Sequence, residues 1–134
     1  MPLSALVVAG ALAAPIVADE PLEPEVAFQL TARPVAAGVE LRFNVREGYY
    51  LYANRFRVEA PGLPYAGLRI PEGIEKDDAF VGKSRILRGE AVLLMPFAAP
   101  TPPGEYDIRV TAQGCADQRV CYAPFSQTAR VRIP

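Results

Sequence analysis

The sequence predicts an all-β domain, because its apolar residues follow the two-residue period of strands, its strand-like segments are short, and turn residues separate them. The chain has 134 residues, a length that suits one domain. Hydrophobic residues make up 51%, enough to form a core, and 14 prolines exclude long helices. Short strands joined by turns are typical of an antiparallel β-sandwich or barrel.

The first predicted strands lie in the N-terminal half of the domain. Apolar and polar residues alternate weakly over 26–30 and clearly over 39–45, which is the pattern of a half-buried strand. A turn at Glu47-Gly48 follows. Further strands are expected at 49–52, 56–58 and 68–70. Residues 60–67 contain two prolines and two glycines and are predicted to form a loop.

The C-terminal half contains three more predicted strands. Residues 91–97 are almost continuously apolar, which indicates a strand buried on both faces. After a turn at 101–104, residues 106–112 alternate and lead directly towards Cys115. The last strand is expected at 128–133. The acidic run 75–78 is predicted to be a solvated loop.

The N-terminus differs in composition from the rest of the chain. Residues 1–18 carry no charged side chain, and small residues at 11–13 and 16–18 fit cleavage sites, so we predict a signal peptide or apolar leader. It lacks the lysine or arginine that usually forms the positively charged start of a signal peptide. Residues 19–25 are acidic and contain proline, and are expected to form a flexible segment before the folded domain, 26–134. Export would place the cysteines in an oxidising compartment.

Composition excludes several classes of function. The chain has no histidine, which excludes a histidine-based hydrolytic triad and an imidazole metal site. Its net charge of -1, with acids and bases interspersed, argues against nucleic-acid binding. The remaining candidates for chemistry are the two cysteines, Cys115 and Cys121. A soft-metal site would have too few sulfur ligands, because Met95 lies in an apolar strand.

The spacing of Cys115 and Cys121 leaves two interpretations open. If the segment is a hairpin, the pair can form a disulfide that is either a structural cross-link or an exchangeable bond. A loop of about seven residues stabilises a fold by only about 2.4 kcal/mol, against about 4.7 for a hundred residues, which weakens the structural interpretation. Asp117 and Arg119 make the loop polar and indicate that it is exposed, where a partner thiol could reach it.

Four segments of the chain carry recognisable motifs: Gln113-Gly114-Cys115-Ala116-Asp117 with Cys121-Tyr122-Ala123-Pro124; Glu47-Gly48-Tyr49-Tyr50-Leu51-Tyr52; the stretch 77–84; and the strand 106–113. In order and spacing they resemble the N-terminal periplasmic domain of DsbD, the thiol:disulfide interchange protein, whose cap loop the stretch 77–84 resembles. The cysteine motif is specific, and the resemblance covers 26–133.

This resemblance implies an immunoglobulin-like antiparallel β-sandwich with the redox cysteines on a hairpin at one end. The activity would be that of a thiol-disulfide oxidoreductase with no cofactor other than its disulfide. A thioredoxin-like domain of the same protein would supply electrons. Periplasmic disulfide isomerases and cytochrome c maturation thioredoxins would accept them. We expect a monomeric periplasmic domain of a larger protein anchored in the inner membrane. The alternative is a non-catalytic immunoglobulin-like binding or scaffold module with a structural disulfide.

The resemblance also assigns roles to individual residues. Cys121 would form mixed disulfides with partners, and Cys115 would resolve them. Phe80 would be the tip of a cap loop that shields the disulfide. Two features depart from the family pattern: Ala79 replaces an acid and Val81 replaces an aromatic residue. The residues expected to line the site are Tyr50, Tyr52, Asp78 and Tyr122.

Overall fold

The computed structural model describes residues 2–5, 10 and 20–134 of the protein. Residues 20–134 contain one short helix and eleven strands, and every strand pair is antiparallel. The predicted all-β fold is therefore confirmed. The elements are α1 (Pro24–Ala27), β1 (Phe28–Val35), β2 (Gly38–Val45), β3 (Tyr49–Tyr52), β4 (Arg57–Glu59), β5 (Ile74–Asp78), β6 (Gly82–Leu87), β7 (Glu90–Pro96), β8 (Gly104–Ala112), β9 (Gly114–Ala116), β10 (Val120–Cys121) and β11 (Phe125–Ile133).

Two three-stranded sheets enclose the main core. Their strand orders are β1-β2-β7 and β11-β8-β4. Leu41 and Leu93 of the first sheet share one buried cluster with Ile108, Val110 and Val131 of the second. The alternating burial of β2 and β8 follows from the two-residue period, because successive side chains point to opposite faces of a strand.

A third, five-stranded sheet carries the cysteines. Its order is β10-β9-β3-β6-β5, so that β10 and β5 are its edges and β3 lies at its centre. All four residues of β3 are buried. Because successive side chains alternate, Tyr49 and Leu51 join the main core, whereas Tyr50 and Tyr52 join a second cluster with Cys115 and Ile86.

Two of the expected local structures are wrong. The run 75–78 is not a loop: it belongs to β5, which pairs with β6 in a hairpin at the edge of the sheet. An edge strand can form from polar residues because backbone pairing on one side is sufficient. The segment 68–70 is not a strand, since only Arg69 bridges to Leu94 of β7. The strand predicted at 91–97 is present as β7, with one face fully buried and the other half-buried.

The N-terminal predictions fall partly outside the described residues. Of the predicted leader 1–18, only 2–5 and 10 are described. In the segment expected to be flexible, Pro24 and Glu25 begin α1, and the backbone of Leu22 is hydrogen-bonded to two tyrosine hydroxyls. Within the described part of the chain, no helix has the length and apolar character needed to cross a membrane.

Candidate redox site

The hairpin β9–β10 places Cys115 and Cys121 directly opposite each other. They form a disulfide with a Cα–Cα distance of 4.0 Å. The next pair outward is joined by a backbone hydrogen bond, in which Tyr122 N–H donates to the Gly114 carbonyl at 2.9 Å. The cysteines thus occupy a non-hydrogen-bonded pair, in which opposing residues of antiparallel strands approach most closely. The predicted hairpin brings the two sulfurs together by register alone.

The two cysteines differ in exposure. Cys115 has 0% of its surface exposed, because β9 lies between β3 and β10. Cys121 lies on the edge strand β10 and is half-buried. Cys121 is therefore the more exposed residue of the disulfide.

Tyr52 contacts both sulfurs. Its hydroxyl lies 3.1 Å from the Sγ atom of Cys115 and 3.5 Å from that of Cys121. A disulfide has no S–H, so the tyrosine must be the donor in these contacts. Burial raises the pKa of the Tyr52 hydroxyl above its usual value. The hydroxyl consequently stays protonated, and able to donate, throughout the neutral range.

Asp78 connects this cluster to the cap loop. It is the buried acid at the end of β5, only 4% exposed, and its carboxylate accepts a hydrogen bond from the Tyr50 hydroxyl. It also accepts from the backbone N–H groups of Phe80, at 2.7 Å, and Val81, at 3.2 Å. Burial alone would raise the pKa of Asp78, but these hydrogen bonds favour the charged form and the net pKa is lowered.

Tyr50 completes the connection between Asp78 and the sulfurs. It pairs with Cys115 across β3 and β9, and its ring makes an edge contact with Tyr52 at a centroid distance of 5.6 Å. Burial and the hydrogen bond to Asp78 raise the pKa of Tyr50 well above its usual value. Both tyrosines are therefore neutral donors, one to a carboxylate and one to sulfur.

The cap loop presents an apolar side chain to solvent. Phe80 lies in the turn between β5 and β6 and is 58% exposed, and its neighbour Val81 is 43% exposed. The hydrogen bonds to Asp78 hold the loop at its base. Phe80 is the aromatic residue of this turn, and most of its ring faces solvent.

Tyr122 is placed on the other side of the hairpin. Its ring packs edge-on against Phe28 at 5.8 Å, and its side chain belongs to the main core instead of the cysteine cluster. Its hydroxyl donates to the Leu22 carbonyl at 2.5 Å. Burial and the neighbouring Tyr49 raise the pKa of Tyr122 to about 12. The structure therefore separates Tyr122 from the residues around the sulfurs, because adjacent strand positions face opposite ways.

Three cations that sequence reasoning missed surround the tyrosines. The charged groups of Arg88 and Lys76 lie 5.2 and 5.4 Å from the centre of the Tyr50 ring. Arg55 lies 5.7 Å from that of Tyr52. Each comes from a different part of the chain, so no local pattern could have revealed the group.

Arg88 also binds the redox hairpin. It donates to both carboxylate oxygens of Asp117, at 2.8 and 2.9 Å, and to the Tyr49 carbonyl at 3.2 Å. The hydrogen bonds to Asp117 raise the pKa of Arg88 above its usual value. Across the described residues, no group of three or more histidine, cysteine or acidic side chains is arranged to hold a metal ion. The disulfide is the group at this site that can exchange electrons.

Comparison with known proteins decides the family. The family model described as "Thiol:disulfide interchange protein DsbD, N-terminal" matches residues 18–133. The chain belongs to the DsbD N-terminal family. The resemblance predicted from the four motifs is thereby confirmed.

Relatives within the DsbD family are considerably longer than this chain. The chain is similar to the DsbD protein of Ralstonia nicotianae, with 36% identity over 118 residues, which cover 85% of this chain and 19% of the relative. It is 33% identical to DsbD of Escherichia coli over 90 residues, which cover 67% of this chain and 16% of the relative. The chain thus corresponds to less than a fifth of each of these relatives.

Solved structures of the DsbD N-terminal domain show the same fold. The reduced domain from Neisseria meningitidis matches with a TM-score of 0.74 and 30% identity, over 83% of this chain and 89% of that chain. The same organism's domain in complex with the PilB N-terminal domain matches with a TM-score of 0.69 and 30% identity, over 84% and 88%. The immunoglobulin-like antiparallel β-sandwich predicted from the resemblance is confirmed.

Proposed function

We propose that this domain transfers electrons between thioredoxin-like proteins by thiol-disulfide exchange at Cys115–Cys121, with Cys121 as the sulfur that meets the partner. The observation that carries the proposal is the unequal exposure of the pair: Cys121 is half-buried on an edge strand, whereas Cys115 is 0% exposed. Exchange requires that the incoming thiolate reach one sulfur, and only Cys121 is open to it.

The exchange balances in two steps. A thiolate of the reduced donor attacks Sγ of Cys121, so that a mixed disulfide forms and Cys115 leaves as a thiolate that takes a proton. The donor's second thiolate then attacks the donor sulfur of the mixed disulfide and releases Cys121. Two electrons and two protons reach the domain, and the donor ends as a disulfide. In the second half of the cycle the reduced domain passes its electrons on. The Cys121 thiolate attacks the acceptor's disulfide, and Cys115 then attacks Cys121 to resolve the resulting mixed disulfide.

The Tyr52 hydroxyl supports the first step. It lies 3.1 Å from Sγ of Cys115, where negative charge develops when the disulfide breaks. A hydrogen bond to an ionised acceptor is about twice as strong as one between neutral groups, so this contact strengthens as the thiolate forms. Tyr50 and Asp78 hold the Tyr52 ring from behind through the edge contact and the hydrogen bond described above.

Phe80 is proposed as a hydrophobic lid over the disulfide between encounters with partners. Support comes from its position at the tip of a loop whose base is hydrogen-bonded to Asp78. The Asp78 carboxylate also accepts a hydrogen bond from the Tyr50 hydroxyl, close to the cysteines. A 58% exposed phenylalanine in an acidic stretch has little other use in folding, since it buries little apolar surface there. Ala79 stands where the family pattern has a second acid, so Asp78 is the acid of this loop that is hydrogen-bonded to a tyrosine.

The proposed partners are proteins of the thioredoxin type. We propose that a thioredoxin-like domain of the same protein donates electrons, and that periplasmic disulfide isomerases and cytochrome c maturation thioredoxins accept them. The complex of a Neisseria DsbD N-terminal domain with the PilB N-terminal domain supports protein partners at this fold. The proposal places the domain in the periplasm, within a longer protein held in the inner membrane. The chain covers less than a fifth of its relatives, which supports the longer protein.

Trapping tests the proposed roles of the cysteines. Cys115→Ser should leave Cys121 able to hold a thioredoxin-like partner as a mixed disulfide, whereas Cys121→Ser should trap none. Trapping only by Cys121→Ser would reverse the two roles. If neither variant traps a partner, and the wild-type bond has a potential below about -300 mV, the disulfide is a structural cross-link of a binding module.

A further inference from the structure

We propose that Arg88 is a positioning residue that holds the redox hairpin in one conformation, in both the oxidised and the reduced state, through its ion pair with Asp117. Asp117 is the first residue of the turn that connects β9 to β10. Both of its carboxylate oxygens accept from Arg88, at 2.8 and 2.9 Å. This inference rests on the proposed exchange at Cys115–Cys121 and adds a residue to it.

The hairpin needs support because β10 is short and lies at an edge. It has two residues and pairs only with β9. The turn contains Gln118 with φ of 56°, a left-handed conformation that is unfavourable for a residue with a side chain. Besides the disulfide and the pairing with β9, three contacts hold the turn. The Asp117 N–H donates to the Gly48 carbonyl at 2.8 Å, Arg119 lies 5.9 Å from the centre of the Tyr49 ring, and Arg88 binds the Asp117 carboxylate.

Arg88 is itself fixed to the centre of the sheet. It follows β6 directly, donates to the Tyr49 carbonyl at 3.2 Å and lies over the Tyr50 ring at 5.2 Å. Tyr49 and Tyr50 belong to β3, which pairs with the strand that carries Cys115. The guanidinium therefore joins the turn beside the edge strand β10 to the buried part of the same sheet. A bidentate arginine–carboxylate pair is the geometry best suited to fix an orientation.

Reduction makes this support decisive. When the disulfide accepts two electrons and two protons, it becomes two thiols, and the covalent tie between β9 and β10 is lost. The ion pair takes part in neither electron nor proton transfer and remains in place. It keeps Cys115 close to the sulfur of Cys121, which raises the effective concentration of the resolving thiol. Without the ion pair, ring closure of the disulfide becomes less favourable.

A purely electrostatic role for the same charges gives a different result. Arg88→Met keeps the aliphatic stem but leaves the Asp117 carboxylate without this cation. Asp117→Ala instead leaves the arginine without this carboxylate. If the charges acted on the cysteine thiolates through space, the two substitutions would shift the redox equilibrium in opposite directions. If they act by holding the hairpin, both shift it in the same direction.

The experiment measures the equilibrium of each variant with glutathione. In the titration one protein disulfide and two glutathione thiols give two protein thiols and one glutathione disulfide. We expect Arg88→Met and Asp117→Ala each to lower the constant for disulfide formation about three- to tenfold, or about 15 to 30 mV towards a less negative potential. The double variant should shift no further than Arg88→Met alone, since that substitution already breaks the pair with Asp117.

A matched control is available on another sheet. Arg33 makes an equally bidentate pair with Glu40, at 3.1 and 3.0 Å, between β1 and β2. Arg33→Met should leave the glutathione equilibrium unchanged. Arg88→Lys, which keeps the charge but not the fork, should recover part of the shift.

Several results would overturn the proposal. Shifts of opposite sign would assign the effect to charge, and unchanged equilibria in both variants would make the ion pair merely structural. If Arg88→Met does not fold, Arg88→Lys takes its place: it keeps the charge but not the fork, so a shift towards a less negative potential supports the holding role and an unchanged potential assigns the effect to charge. If Cys115→Ser traps no partner, the proposed function is wrong. If trapping is normal but neither Arg88→Met nor Asp117→Ala changes the redox potential, only the proposed role of Arg88 is wrong.

Discussion

The hydroxyl of Tyr52 lies 3.1 Å from the sulfur of Cys115, the fully buried member of the disulfide. This contact lies inside the protein, on the face of β3 opposite to the main core. Tyr52 is only 1% exposed, although its hydroxyl also lies 3.5 Å from the sulfur of Cys121. The hydroxyl that we propose to stabilise the leaving thiolate is thus buried beneath the protein surface.

Tyr52→Phe should slow reduction of the disulfide by a thioredoxin-like protein about tenfold or more. A hydrogen bond to a charged group contributes about 1.5 to 3 kcal/mol, and about 1.4 kcal/mol corresponds to a factor of ten. Stopped-flow kinetics with a reduced thioredoxin domain measures the rate. Tyr49→Phe is the matched control, because Tyr49 belongs to the same strand but faces the main core. Equal slowing by both variants would contradict a direct role for the Tyr52 hydroxyl.

Phe80→Ala should increase the rate at which small thiols reduce the disulfide, by about threefold or more, because exchange rates depend on access to the attacked sulfur. Stability should change little, since the side chain is 58% exposed. Reduction by dithiothreitol, followed by quenched thiol labelling, measures the rate. Val81→Ala alters the neighbouring exposed residue and should leave the rate unchanged. A rate for Phe80→Ala equal to that of the wild type would exclude the proposed role of Phe80 as a lid.

Asp78→Asn should lower the free energy of unfolding at neutral pH by about 1 to 3 kcal/mol, because a buried carboxylate with three donors is replaced by a group that cannot accept from all of them. The pKa of Asp78 is lowered in the folded protein. Its contribution is therefore complete above the unfolded pKa, at about pH 4, and is lost as the pH falls through the folded pKa.

Thermal unfolding between about pH 2 and 7 checks the dependence on Asp78. The wild type should lose more stability than Asp78→Asn as the pH falls below about 4, so that the two curves converge at low pH. Asp77→Asn changes an exposed acid in the same strand and serves as the control. Parallel curves for the wild type and Asp78→Asn would show that ionisation of Asp78 contributes nothing to stability.

Tyr122→Phe should lower the free energy of unfolding by about 0.5 to 1.5 kcal/mol without changing the redox equilibrium. It removes the hydrogen bond from the hydroxyl to the Leu22 carbonyl, on the core side of the hairpin. Because the pKa of Tyr122 is raised to about 12, this bond should persist up to strongly alkaline pH. Denaturant unfolding and a glutathione titration separate the two effects. A shifted potential in this variant would mean that Tyr122 acts on the sulfurs after all.

The sequence predicts the half-buried strands because each of them shows its own periodicity. Strands β2 and β8 alternate clearly, and their burial alternates with them. The hairpin β5–β6 was missed because charged residues such as Glu75 and Lys76 hide any period in an edge strand. The cysteine hairpin was predictable from spacing and from the motif around it.

The environment of the cysteines depends on sheet order, which local patterns do not determine. Arg88 lies 29 positions before Asp117 and 39 after Tyr49, yet it binds both. The requirement for glycine at position 114 also depends on how the strands pair. Its conformation needs no positive φ, but a Cβ atom there would overlap the Tyr50 carbonyl, a contact that arises only when β9 lies against β3. Such pairings become visible only in the folded chain.

The complete burial of Cys115 has a consequence for the order of events. Cys121 is the more exposed cysteine of the pair, so under the proposed exchange a donor and an acceptor would compete for the same position on β10. Electron delivery would then be strictly sequential, and an excess of either partner should inhibit turnover with the other.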